Sequence, residues 1–280
     1  MNTAALTLPD GASLQYYDVT PDAADALPVI YHHGTPNVGE PPAPLYDAAA
    51  ERGLRWIGFD RPGYGRSTRN QGRDIASAAT DAIAVADELG VDRFAVFGHS
   101  GGGPHALACA ALEPERVIAV VSVAGLAPFK ARGLDWFAGM TKAGVAELTA
   151  AVKGGDKLRE LLEKGEYDPD MFTPADHTAL GGEWSWFNGI AARGTERGLG
   201  GMIDDDIAYV RDWGFDPATV QCPTLIVQGA DDRIVPSAHG EWLARTVPGA
   251  ELWLRAGDGH LSVMRAGAEM LDWLLAQSPA

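Results

Sequence analysis

The 280-residue chain carries 38 Asp plus Glu against 22 Lys plus Arg, a formal net charge of −16, with 46% hydrophobic and 21% charged residues. This balance belongs to a globular protein and not to a disordered one, and the length suits one large domain or a core with an insertion. The acidic charge disfavours nucleic acid, which needs a concentrated basic face, and likewise strongly anionic substrates and acidic membrane surfaces.

At the N-terminus, residues 6–8 and 13–19 flank Pro9-Asp10-Gly11 and predict a hairpin. No basic segment followed by an apolar stretch precedes them, so no signal peptide is read and a cytoplasmic location is expected. Short apolar runs then alternate with Ala-rich segments: 29–31, 56–59, 94–97, 117–123, 225–227 and 252–254. Rich in Val, Ile and Phe and ending in Gly or Asp, they predict strands buried on both faces. Between them lie helix signals, such as Asp74 capping an apolar face (Ile75, Ala79, Ala82, Ile83, Ala86, Leu89) that ends at Gly90. Strand alternating with helix implies a parallel sheet wrapped on both faces. The most apolar stretch, 117–127, is too short to span a bilayer.

The alternation breaks once. Residues 128–215 hold helical stretches and loops without a convincing buried strand, together with Trp136, Trp184, Trp186, Phe187, Trp213 and the acidic run Asp204-Asp205-Asp206. A helical insertion between two sheet strands predicts a cap over the C-terminal edge of the sheet, where ligands bind in open α/β folds. The expected division is a core of 1–127 and 216–280 with a cap of 128–215.

The segment with the clearest chemistry is Phe94-Ala95-Val96-Phe97-Gly98-His99-Ser100-Gly101-Gly102-Gly103. A strand runs into Gly-x-Ser-x-Gly and a helix-compatible stretch follows, so Ser100 is expected on a strained strand-to-helix turn with its hydroxyl above the sheet. Gly98 and Gly102 permit a close approach that a Cβ would block, and the helix N-terminus favours developing negative charge. A serine hydroxyl needs a base, and the base needs an orienting acid. The strand at 225–227 ends in a turn with Asp231 and Asp232, and the strand at 252–254 leads to Gly259-His260. Either carboxylate could serve the imidazole on this reading.

These features resemble the α/β-hydrolase family along nearly the whole chain outside the insertion. His33-Gly34-Thr35-Pro36 is similar to the family's oxyanion loop, and Asp60-Arg61-Pro62-Gly63-Tyr64-Gly65-Arg66-Ser67 to the loop after its next strand. Gly229-x-x-Asp232-x-x-x-Pro236 resembles the acid loop and Gly259-His260 the histidine loop. The resemblance implies an α/β fold, a mostly parallel sheet flanked by helices, with Ser100, Asp232 and His260 as catalytic residues. It selects Asp232, and leaves Asp231 as a solvated or turn-capping carboxylate and Asp258 as a loop residue. The backbone N–H groups of Thr35 and Gly101 are expected to meet the oxyanion, and a carboxylic ester of a small or medium-sized molecule to be the substrate. Trp184, Trp186 and Phe187 are candidate lining for the substrate, with packing inside the cap as their alternative. Proline iminopeptidases, carbon–carbon bond hydrolases, cofactor-free haloperoxidases and hydroxynitrile lyases share the serine triad, and a non-catalytic binding protein on the same scaffold is the reading from another class.

The remaining histidines are expected to be structural. His33 braces the oxyanion loop, His99 points away from Ser100, His105 packs in or near the helix after Ser100, and His239 sits on a surface helix. No metal motif, dinucleotide fingerprint or phosphate loop is visible, so no metal and no cofactor is expected. Cys109 and Cys222 are far apart and imply no disulfide framework; Cys109 reads as a small buried hydrophobe.

Overall fold

The computed structural model describes residues 1–23, 25–165 and 168–278. The N-terminal hairpin consists of β1 (Asn2–Thr7) and β2 (Ser13–Asp18), with Thr7 opposite Ser13. At its turn Gly11 takes φ +85°, and the N–H of Ala12 donates to Asp10 Oδ1. The later apolar runs become β3 (Leu27–His32), β4 (Leu54–Phe59), β5 (Phe94–His99), β6 (Val117–Val123), β7 (Thr224–Gly229) and β8 (Glu251–Arg255). They form one sheet in the order β1-β2-β4-β3-β5-β6-β7-β8. The hairpin strand β2 runs antiparallel to β1 and β4, and all the remaining pairs are parallel.

Helices cover both faces, as parallel strands require for their crossovers. The helices in chain order are α1 (Tyr46–Glu51), α2 (Ser77–Glu88), α3 (Gly102–Leu112), α4 (Lys142–Lys153), α5 (Gly155–Leu162), α6 (Pro174–Leu180), α7 (Trp186–Thr195), α8 (Gly200–Tyr209), α9 (Ser237–Thr246) and α10 (Gly267–Ala276). Side chains alternate between the faces. Val29, Tyr31, Phe97, Val121 and Val227 pack with Ala49 of α1 and Leu271 and Leu274 of α10. Ile30, Val96, Val120 and Ile226 pack with Ala82 and Val85 of α2, Leu107 of α3 and Leu243 of α9. Helix α2 begins three residues after Asp74, whose Oδ1 nonetheless accepts from the N–H of Ser77 at 2.9 Å.

One strand departs from the expectation of burial on both faces. β8 is an edge strand with a single neighbour, and Leu252 and Leu254 are 37% and 46% exposed. Between β6 and β7 the described residues form helices α4 to α8 and no strand. This insertion is joined to the core by a third apolar cluster, in which Trp136, Leu158, Ile203 and Trp213 pack with Ile75, Ala108 and Leu126. Among the described residues, no helix is long and apolar enough to cross a membrane.

Candidate active site

Ser100 occupies the turn between β5 and α3 with φ +56°, a left-handed conformation that costs a non-glycine residue about 1–2 kcal/mol. The turn is tight enough to dictate its neighbours. A Cβ on Gly98 would fall 2.2 Å from the carbonyl oxygen of Gly102, and one on Gly102 would fall 1.9 Å from that of His32. The N–H of Ser100 donates to the carbonyl of Val123 at 2.8 Å, which fixes the turn above the sheet.

The loops after β7 and β8 bring Asp232 and His260 to it. His260 Nε2 lies 2.8 Å from Ser100 Oγ, and His260 Nδ1 lies 2.8 Å from Asp232 Oδ2. Asp232 is itself held by its own turn. Its Oδ1 accepts from the N–H groups of Ile234 and Val235 at 2.8 and 2.9 Å, and its Oδ2 accepts from Gln228 Nε2 at 3.1 Å. Burial acts to lower the His260 imidazole pKa, but the charge and hydrogen bond of Asp232, with the charge of Asp176 behind, outweigh it and leave the pKa raised. With Nδ1–H donated to the carboxylate, Nε2 is free to accept the serine proton. Asp231 is exposed, and Asp258 pairs with Arg255 at 3.7 Å; neither bonds to the imidazole.

The loop from His33 to Pro36 runs alongside. A Cβ on Gly34 would fall 3.2 Å from Ser100 Cβ, and one on Gly101 would fall 2.8 Å from Thr35 Oγ1. His33 braces this loop as expected. Its Nε2 accepts from the N–H of Arg61 at 3.1 Å, so its Nδ1–H donates to the carbonyl of Gly34 at 2.8 Å.

Thr35 leads to a residue that sequence reasoning missed. Its hydroxyl donates to Asp205 Oδ2 at 2.6 Å, and Asp205 is fully buried on α8 of the insertion. The same carboxylate accepts from Arg61 Nε and Nη2 at 3.2 and 2.7 Å and from Tyr64 Oη at 2.7 Å, and it pairs with Arg73 Nη2 at 2.7 Å. Burial alone would raise its pKa, yet Arg61 and Arg73 hold it well below the usual carboxylate range. The loop carrying Arg61 and the acidic run were both visible in the sequence, but nothing local signals that they meet.

The other predicted residues take varied places. His99 directs Nε2 to the carbonyl of His260 at 3.0 Å and not to Ser100. His105, buried on α3, bonds the Gly101 carbonyl at 2.7 Å. His239 corrects the expectation of a surface position: it is fully buried on α9. Its Nδ1 accepts from the N–H of Ala127 at 3.1 Å and its Nε2–H donates to the carbonyl of Trp136 at 2.9 Å, because α9 packs against the first segment of the insertion. Burial lowers its pKa to about 4. Trp184 stacks on Phe187 at 5.6 Å, and Trp186 lies 5.1 Å from Phe187. Trp184 and Phe187 are buried in the cluster on one sheet face, and Phe187 reaches His99 at 5.1 Å. Cys109 is buried on α3 near His32, and burial raises its thiol pKa. Among the described residues, no group of three or more His, Cys, Asp or Glu is placed to hold a metal ion.

Known proteins share this architecture. The profile of the family described as alpha/beta hydrolase fold matches residues 28–266. The chain is 27% identical over 271 residues to a non-heme haloperoxidase of Rhodococcus erythropolis, covering 91% of this chain and 92% of that protein. It is 28% identical over 261 residues to a 2-hydroxy-6-oxononadienedioate/2-hydroxy-6-oxononatrienedioate hydrolase of Burkholderia vietnamiensis, covering 90% and 86%. A thermophilic esterase from Thermogutta terrifontis superimposes with a TM-score of 0.72 at 20% identity over the whole of both chains, a likeness of fold alone.

Proposed function

The chain belongs to the alpha/beta hydrolase fold family, and on that premise we propose that it is a serine hydrolase cleaving carboxylic esters of small or medium-sized molecules through an acyl-enzyme on Ser100. The observation that carries this reading is the unbroken line from Ser100 Oγ to His260 to Asp232, with 2.8 Å at each step. His260 Nε2 accepts the serine proton as Oγ attacks the ester carbonyl. The tetrahedral oxyanion is met by the backbone N–H groups of Gly101 and Thr35; Pro36 has none to offer. His260 then returns the proton to the departing alkoxide. Water attacks the acyl-enzyme by the same route, with His260 again as base, and releases the acid. Esters come before amides because an alkoxide leaves more readily than an amine.

In this reading residues 1–127 and 216–280 form the catalytic core and 128–215 the cap. Of the candidate lining residues Trp184, Trp186 and Phe187, Phe187 contacts His99, the neighbour of Ser100, and both tryptophans pack on Phe187. A panel of p-nitrophenyl esters of increasing acyl length tests the proposal. Turnover with an initial burst, lost in Ser100→Ala, supports it; equal turnover by Ser100→Ala contradicts it. The haloperoxidase relative favours a second reading, in which the same relay supports peroxide-dependent halogenation. An assay for peroxide-dependent bromination separates the two.

A further inference from the structure

Resting on the reading of Ser100 as nucleophile and His260 as base, we propose that Asp176, on helix α6 of the insertion, is a positioning residue for the catalytic histidine. Its carboxylate is fully buried and accepts six hydrogen bonds. Oδ1 takes the N–H of Leu261 at 2.8 Å and both the N–H and hydroxyl of Ser262 at 2.7 and 2.9 Å. Oδ2 takes the N–H of His260 at 3.2 Å and the N–H and hydroxyl of Thr173 at 3.0 and 2.9 Å. The N–H of Gly259 reaches the Ser262 hydroxyl at 2.8 Å. Four successive backbone donors, from Gly259 to Ser262, therefore end on Asp176 directly or through Ser262.

An ordinary helix cap does not require this arrangement. Thr173 and Asp176 form a capping box at the start of α6, which uses Oδ2 and Thr173 alone. The other oxygen and the bond to the His260 N–H reach across to a loop of the core. That loop is shaped around the carboxylate: a Cβ on Gly259 would fall 2.1 Å from Asp176 Oδ2. The insertion thus anchors the backbone whose side chain must meet Ser100 at hydrogen-bond distance. A displacement of about 1 Å at such a position costs on the order of a hundredfold in rate.

The charge acts on the imidazole as well. The groups around His260 are Asp232 from the turn after β7, His99 from the end of β5, Ser100, and Asp176 from α6. His99 is held neutral, its pKa lowered to about 3 by burial, so the two carboxylates are the charges that favour the imidazolium. Of the other charges near Asp176, Asp258 is paired with Arg255, and Arg265 reaches the Ala175 carbonyl and pairs with Glu183 at 3.7 Å.

The test is steady-state hydrolysis of p-nitrophenyl acetate by Asp176→Asn and Ser262→Ala across pH 5–9, with circular dichroism to confirm folding. The amide of Asp176→Asn places donors where Asp176 only accepts. We expect kcat to fall about 10- to 100-fold with KM within threefold, and the acid limb of kcat/KM to move to lower pH. Ser262→Ala keeps the charge and removes one hydroxyl; it is expected to lower kcat severalfold with the limb unmoved. A folded Asp176→Asn with wild-type kcat and an unmoved limb overturns the proposal, as does wild-type kcat in Ser262→Ala where Asp176→Asn does not fold. His260→Ala keeps the premise separate. Full activity there removes the hydrolase reading itself, whereas an inactive His260→Ala beside a wild-type-like Asp176→Asn removes only the role of Asp176.

Discussion

The hydroxyl of Tyr209 lies where a side chain on Gly101 would begin: a Cβ built on Gly101 falls 2.0 Å from Tyr209 Oη. Tyr209 is buried on α8, and its hydroxyl pairs with Thr35 Oγ1 at 2.8 Å. Because Thr35 gives its own proton to Asp205, Tyr209 is the donor in that pair. The residue after Ser100, the loop from His33 to Pro36 and the insertion thus meet at one point.

Gly101→Ala is therefore expected to destabilise the protein by about 1–3 kcal/mol through overpacking and to lower kcat/KM. Tyr209→Phe removes the atom in closest conflict, so the double variant should be less impaired than the sum of the two single losses. Melting temperatures and kcat/KM for the four proteins check this. Strictly additive losses contradict it.

Asp232→Asn is expected to reduce kcat about 10³- to 10⁴-fold with little change in fold. The Asn oxygen stays with the N–H groups of Ile234 and Val235, which turns its amide N–H₂ toward His260 Nδ1. The imidazole then carries its proton on Nε2 and cannot accept from Ser100. Burst kinetics with a p-nitrophenyl ester measure the loss, and retention of more than a tenth of wild-type kcat contradicts the assignment.

The raised pKa of His260 sets the sign of the pH profile. The base must be neutral, so kcat/KM should climb as pH rises, reach half its plateau above pH 6.5 and hold into the alkaline range. A half-maximum below pH 6.5 contradicts the dominance of Asp232 over burial.

A second effect of pH is on stability. Asp206 of α8 is buried beside Glu147 of α4 with a hydrogen bond between them, and burial followed by the charge of Glu147 raises its pKa well above the usual range. Glu147 is also raised, chiefly by burial. Carboxyls with raised folded-state values contribute stability that is present below their unfolded values, near pH 4, and lost as pH rises through the folded ones. Asp206→Asn keeps a donor toward Glu147 without needing a proton. Its melting temperature should exceed that of the wild type by a margin that grows from pH 4 to pH 8; a constant margin or a loss contradicts this.

The parallel sheet was legible because its strands are short apolar runs, most of them rich in Val, Ile and Phe, and because Gly98 and Gly102 mark a turn where a Cβ does not fit. The chain order of Ser100, Asp232 and His260 was equally readable, since each lies in the turn or loop that follows a strand. Local patterning reports which side of an element is buried, and not what covers it. His239 therefore read as a surface histidine, although α9 meets the insertion, and β8 read as fully buried although it has only one neighbour. Asp205 and Asp176 were invisible for the same reason. Each is one carboxylate in a polar stretch of the insertion, and the core residues it meets lie 84 to 170 positions away.

The most direct measurement is the intact mass of the protein after treatment with a small fluorophosphonate, followed by peptide mapping. The account predicts a single adduct on Ser100, lost in His260→Ala, because only a serine relieved of its proton by His260 attacks phosphorus readily. Folded protein that takes up no adduct, or that is labelled at Ser100 equally well without His260, would contradict it.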